Sequence, residues 1–435
     1  MEFPLIRLPD VPKIQIIQLM SIGERIKLAL SSRKMENYLA WVFKNHVLDV
    51  DCTIKLRGNT SFIGIDLKWM LCLNRLEEGC ENPDFIKVEE LKPWIDEKSA
   101  MIERTFNVFI RLQKVLPCQL TQLVVTLNVE PTPILKILSY PCVANLTGVH
   151  FYGGTVKRNE LDAIMEWRKE NTIQYIVVKD NEIPLDYRHP NAFRFTGVVY
   201  GDARWISLED LLSMRNFYRP IFSVNNFSMK DLNTFIKYWI NCEENMFKYL
   251  LIDYKNINLS ELMKDITVLK GFRSEKPFYL IASNSTENQL VLTIRLIEHT
   301  ESQILNELDF SVQYANKPHK FRRGGTLPAW TREYRILGRL ARKRWLEEEM
   351  ITVGISIEEI KELDDLEEEL TVEEVRMIDG IMTVQEKLGT PLSRGGDATI
   401  TRSRGNMIRP KRTKNMTKEK LADIKMQLER VKNGN

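Results

Sequence analysis

Five histidines, His46, His150, His189, His299 and His319, are the residues of this 435-residue chain best suited to moving protons or ligating a metal near neutral pH. None stands in the His-Glu-x-x-His spacing that puts two imidazoles on one helix face, so metal ligation is not expected. The six cysteines (Cys52, Cys72, Cys80, Cys118, Cys142, Cys242) form no Cys-x-x-Cys pair and read as reduced, mostly buried thiols. Asp49 with Asp51, and Asp364 with Asp365, are paired carboxylates with nothing marking a cleft around them. Tyr152-Gly153-Gly154 and Arg323-Gly324-Gly325 read as turns rather than phosphate cradles. Neither a phosphate-binding Gly-x-x-x-x-Gly-Lys loop nor a Gly-x-Ser-x-Gly elbow occurs. The expectation is a chain with no catalytic constellation and no cofactor.

Charge offers a second kind of chemistry. Lys and Arg number 62 against 59 Asp and Glu, so the net charge of +3 selects no partner class. The distribution is less even. A basic block from Lys317 to Arg344 is threaded with Trp330, Tyr334 and Trp345, an acidic block runs from Glu347 to Glu374, and residues 394–432 are basic again. Clustered cations can displace counterions from phosphates. On that reading Arg409, Lys411, Arg412 and Lys414 are possible contacts for weak nucleic-acid binding or nuclear import. The plainer reading is solvated, charged helices and disorder.

Binding through apolar surface has its strongest signal at the start of the chain. Phe3-Pro4-Leu5-Ile6-Arg7-Leu8-Pro9 precedes short helical patterns that continue to about Phe43. Asp10 is placed to cap a first helix with Pro12 in its first turn, Ser21 and Glu24 form a capping box, and Ser31 or Ser32 can cap a third helix. Units this small cannot hide much surface among themselves. Leu5, Leu8, Pro9, Ile16, Ile17 and Met20 would be left over as a docking face.

The order Phe3-Pro4-Leu5, Leu8-Pro9, Ile16-Ile17 and Ser32-Arg33-Lys34 resembles the F-box family over about 40 residues. A second resemblance lies further on. Trp205-Ile206-Ser207-Leu208-Glu209-Asp210-Leu211-Leu212 and the run from Phe227 to Ile240 are similar to the F-box-associated type 2 domain of nematode-type F-box proteins. Within them Ser207 and Ser228 are each followed three residues later by Asp, which predicts two capped helices. Leu232, Phe235, Ile236 and Trp239 share one face, read as core rather than ligand groove. The family's usual hairpin turn is replaced here by Asn284 to Asn288.

Strand-like runs recur from Leu120 to Ile294 at intervals of roughly 20–28 residues with helices between them, a strand-plus-helix period. The fold expectation is therefore α+β. A three-helix F-box (1–46) leads through a connecting region (47–119) to an irregular, leucine-rich-repeat-like α/β domain (120–313), and a charged, partly helical or disordered tail (314–435) follows. A closed α/β domain is the plainer alternative.

No window reaches the ~18 apolar residues that span a bilayer, and the first residues lack a secretory pattern. An intracellular chain, cytoplasmic or nuclear, is expected. The resemblance implies a substrate-recognition subunit that docks on a Skp-type adaptor, and through it on a cullin-RING ubiquitin ligase, and that binds an unknown protein target. The alternative is a non-catalytic repeat-type scaffold with a basic tail.

Overall fold

In a computed structural model, the residues described are 9–384 except 45–46, 67, 74–85, 87, 128–132, 168–173, 274–275, 286–287, 298–305, 321–325, 328 and 379. They lie within one compact unit, Met1–Glu386. Three helices come first: α1 (Asp10–Leu19), α2 (Ile22–Ser31) and α3 (Arg33–Val42). Local chemistry sets their ends. Ser21 accepts from the Glu24 N–H while Glu24 reaches back to the Ser21 N–H, completing the expected box, and Ser32 caps α3 through the Met35 N–H. One detail differs from expectation. Pro9 occupies the N-cap of α1, and Asp10 stands in the first turn with no cap bond, where its charge still favours the helix dipole.

Strands β1 (Leu48–Arg57), β2 (Thr60–Ile65) and β3 (Lys68–Cys72) form antiparallel pairs, and α4 (Val88–Leu91) and α5 (Met101–Val115) follow. Then come β4 (Cys118–Thr126), α6 (Ile134–Leu138), β5 (Gly148–Tyr152), α7 (Arg158–Glu166), β6 (Tyr175–Lys179) and β7 (Gly197–Asp202). The run continues with α8 (Leu208–Ser213), β8 (Arg219–Val224), α9 (Met229–Asn241) and β9 (Tyr249–Tyr254). From β4 to β9 each strand pairs in parallel with the next in chain order, and β1 joins β4 in parallel.

Side chains at the strand ends stitch neighbours together. Asn225 donates to the carbonyls of Ser223 (2.7 Å) and Asp253 (2.8 Å) while its own oxygen accepts from the Phe227 N–H. Asn181 donates to the carbonyls of Gly153 and Gly154. At the opposite ends Thr147 donates to the Thr121 carbonyl (2.8 Å) and accepts from its N–H.

The sheet then turns antiparallel. After α10 (Leu259–Leu262), strands β10 (Leu269–Arg273), β11 (Lys276–Ala282), β12 (Leu290–Ile297) and β13 (Asn306–Tyr314) form a meander whose last strand closes on β9. A two-stranded ribbon, β14 (His319–Lys320) and β15 (Thr326–Leu327), leads to α11 (Thr331–Thr352) and α12 (Ile357–Val372), and β16 (Val375–Ile378) and β17 (Ile381–Val384) end the described chain. β17 pairs with β10, so the sheet counts 15 strands among the described residues.

The expected boundary at 314 is therefore not a break in packing. Trp330, Ile336, Leu337, Leu340, Leu370 and Val384 share a core with Leu269, Phe278, Leu280, Val291 and Ala315. Alternate residues of the same strands, Tyr279, Ile281, Leu292 and Ile294, belong to the main core. A strand's side chains alternate between faces, so α11 and α12 cover the face of β10–β12 opposite the main core. The opposite charges of the two helices meet directly: Arg342 with Glu362 (2.8 Å), Arg339 with Glu369 (2.7 Å), Lys343 with Glu367 (3.3 Å) and Arg332 with Glu373 (2.8 Å). The basic and acidic blocks are two sides of one hairpin rather than a loose tail.

Candidate docking surface

The N-terminal helices belong to the main core. Ile17, Ile26, Ala29, Leu30, Leu39 and Phe43 are buried within it. Arg111 on α5 grips the nearly buried carboxylate of Glu36 on α3 through Nε (2.9 Å) and Nη2, donates from Nη1 to the Pro93 carbonyl (2.9 Å), and lies over the Trp94 ring. Arg25 closes the end of α1 by donating to the carbonyls of Ile17 (3.1 Å) and Gln18 (2.8 Å). Asp10 accepts from Lys13 and from the Tyr38 hydroxyl, tying α1 to α3.

Among the exposed residues of these helices, which include Gln15, Gln18, Lys27, Arg33 and Lys34, three are large and apolar. Leu19 is 87% exposed, Val11 68% and Trp41 60%, with Trp41 beside the Tyr38 ring at 5.8 Å. Of the docking residues expected from sequence, Pro9 is exposed, and Ile16 and Met20 are half-buried, Met20 against the core. Ile17 is corrected: it has no exposed surface and is a core residue. Leu5 and Leu8 lie outside the described residues, as do Arg409, Lys411, Arg412 and Lys414. Val11, Leu19 and Trp41 were not singled out in the sequence. α1 carries apolar residues on more than one side, so spacing alone does not say which side the protein itself covers.

The second sequence motif is built as a rigid core. Ser207 and Ser228 both form complete capping boxes, with Asp210 and Asp231, at the starts of α8 and α9. Trp205 is buried, donates to the Asp202 carbonyl (3.1 Å), and packs edge-on to Tyr187 (5.6 Å) and Tyr200 (5.1 Å). Burial pushes the Tyr200 hydroxyl well up from its ordinary range, and it donates to the Ala192 carbonyl at 2.7 Å. Leu232, Phe235, Ile236 and Trp239 face inward as expected. Asn233 adds a buried polar clasp, donating to the carbonyls of Leu262 (2.8 Å) and Lys264 (2.9 Å). Residues 190–263 match the family described as F-box associated. This F-box-associated segment contains both motifs read from the sequence, and the resemblance stands at those residues.

A 46-residue stretch, 11% of this chain, is 65% identical to Zygote defective protein 9 of Caenorhabditis elegans. The chain spans only 3% of that relative's length. No solved structure matches.

Among the described residues no three His, Cys, Asp or Glu side chains are grouped so as to hold a metal ion. None of their helices is long and apolar enough to cross a membrane. Desolvation lowers the pKa of His150 to about 4. It stands on β5 beside Tyr152, with ring centroids 6.3 Å apart.

Proposed function

We propose that this chain is the substrate-recognition subunit of an SCF-type cullin-RING ubiquitin ligase. The observation that carries the reading is the F-box-associated match at 190–263, in a chain whose three N-terminal helices follow the F-box residue order. The family points to a receptor rather than a catalyst. Pro9, Val11, Ile16, Leu19 and Met20, with Leu5 and Leu8 before them, are the side chains for a Skp-type adaptor. A few side chains buried in a partner's pockets supply most of such an interface's affinity. Ile17 supports that face from below.

The receptor acts by proximity. Holding a target beside a ubiquitin-charged enzyme converts a bimolecular transfer into an effectively intramolecular one. Targets are held by the α/β domain, whose strands β4 to β9 are laid down in chain order.

A second reading is favoured by the burial of Ile17 and by the Glu36–Arg111 pair, which make the N-terminal helices an end-cap of a scaffold. Affinity capture from a cell extract, with and without a proteasome inhibitor, separates the two. The receptor brings down the adaptor and cullin in both, gains a target when the proteasome is blocked, and loses the adaptor with Leu8→Ala plus Pro9→Ala. A scaffold shows no adaptor in either condition.

A further inference from the structure

α11 and α12 cover one face of the sheet only at its β10–β12 end. Over β5 to β9 that same face has no helix upon it among the described residues, since α7, α8 and α9 bury their apolar sides in the main core on the other side. Strand register defines what the open face carries. One row crosses it as His150, Val177, Val199, Ile221 and Leu251, each the partner of the next. This row is an apolar floor. The adjacent row, toward the strand starts, reads Gly148, Tyr175, Gly197 and Arg219. A side chain at Gly197 would collide with the Tyr175 ring, so the missing Cβ lets that ring lie flat toward Arg219.

The row ends in a cluster of tyrosines and cations. Tyr218, 44% exposed, meets Tyr249 edge-on at 5.7 Å. The Lys248 ammonium sits over both rings, at 5.2 and 5.6 Å. Cations of α11 are paired with carboxylates of α11, α12 and Asp265, whereas Arg219 and Lys248 have no ion-pair partner among the described residues. The opposite border is mixed, with Tyr152 and Lys179 in register on β5 and β6 and Asp253 and Glu307 in register on β9 and β13. Arg219 and Lys248 thus stand beside the apolar row at the strand-start side of the face.

We infer that the open face over β5 to β9 is the target-binding surface. Its occupant is an extended protein segment that sets acidic side chains against Arg219 and Lys248 and aliphatic ones on the half-buried Val199 and Ile221. This deepens the receptor reading and rests on it for the word target; the binding itself does not depend on the adaptor. Tyrosines on either side hold Lys248 in place, so little ordering cost accompanies its contact with a carboxylate.

The test uses the full chain and three fluorescein-labelled probes of equal length: a peptide of alternating Glu and Leu, one of alternating Lys and Leu, and a single-stranded oligonucleotide. Anisotropy should show saturable binding of the Glu/Leu peptide alone. Arg219→Glu with Lys248→Glu should weaken it about tenfold or more, Arg219→Lys should retain it, and Val199→Asp should abolish it without loss of the thermal transition. Adaptor binding by the same variants should be unchanged, so failure of the receptor reading and failure of this surface register separately. Equal binding of the Glu/Leu peptide by the charge-reversed chain overturns the assignment. So does its absence with the wild type, or preference for the oligonucleotide.

Discussion

Glu36 on α3 and Arg111 on α5, 75 residues apart, form a two-pronged ion pair with the carboxylate nearly buried and the guanidinium partly so. This contact fastens the N-terminal helices to the element that leads into the parallel sheet. Removing one partner leaves the other charge unmatched in a site of low exposure, which costs about 3 kcal/mol or more. Glu36→Ala should lower the melting temperature and the denaturant midpoint. The pair replaced by Leu at 36 and Met at 111 should recover most of the loss. A Glu36→Ala chain as stable as wild type would show that the pair does not hold the module.

Cap chemistry makes a smaller, cleaner prediction. The Ser228 hydroxyl accepts from the Asp231 N–H, and the Asp231 carboxylate accepts in return from the Ser228 N–H. Ser228→Ala should cost about 1 kcal/mol and Ser228→Asn much less, read from urea midpoints at constant slope. Equal midpoints for all three would mean that α9 is held by its apolar face alone.

His150 predicts a pH dependence of one sign. Its folded pKa is lowered from 6.5 to about 4 by desolvation, so between those values the unfolded chain binds the proton and the folded chain does not. Stability is intact above pH 6.5 and falls as the pH drops toward 4, by roughly 3 kcal/mol at most. His150→Gln should flatten this stretch of the stability–pH curve. An unchanged slope in the variant would assign the acid sensitivity to other groups.

The α11–α12 hairpin carries the opposite case. The Arg332 hydrogen bond, with Arg335 and Arg339 nearby, lowers the Glu373 pKa against the opposing effect of burial. Its contribution is present above the usual carboxylate range and lost as the pH falls below it. Glu373→Gln should loosen the hairpin at neutral pH, seen as faster amide exchange in α11. Protection equal to wild type would show that apolar contacts alone dock it.

How much of this was readable in the sequence depends on the range of the forces. The capping boxes at Ser21, Ser207 and Ser228 are contacts three residues long, and all form as expected. Strands β5 to β8 fall where the β-branched and aromatic runs mark them. Ile17 was misplaced because its identity says only that it avoids water, not whether this chain or a partner shields it. The hairpin was missed for a related reason: charged blocks of opposite sign read as solvated, and the apolar stripe of Ile336, Leu337, Leu340 and Leu370 is thin among them. The open face was invisible for a third reason, because the row from Tyr175 to Arg219 exists only once the register is set.

Titration of the purified full chain with a purified Skp-type adaptor, by calorimetry, bears most directly on the receptor reading. A one-to-one saturable complex is predicted, abolished by Val11→Glu with Leu19→Glu while the melting temperature stays the same. Absence of binding by the wild type, or undiminished binding by the doubly charged variant, would contradict it.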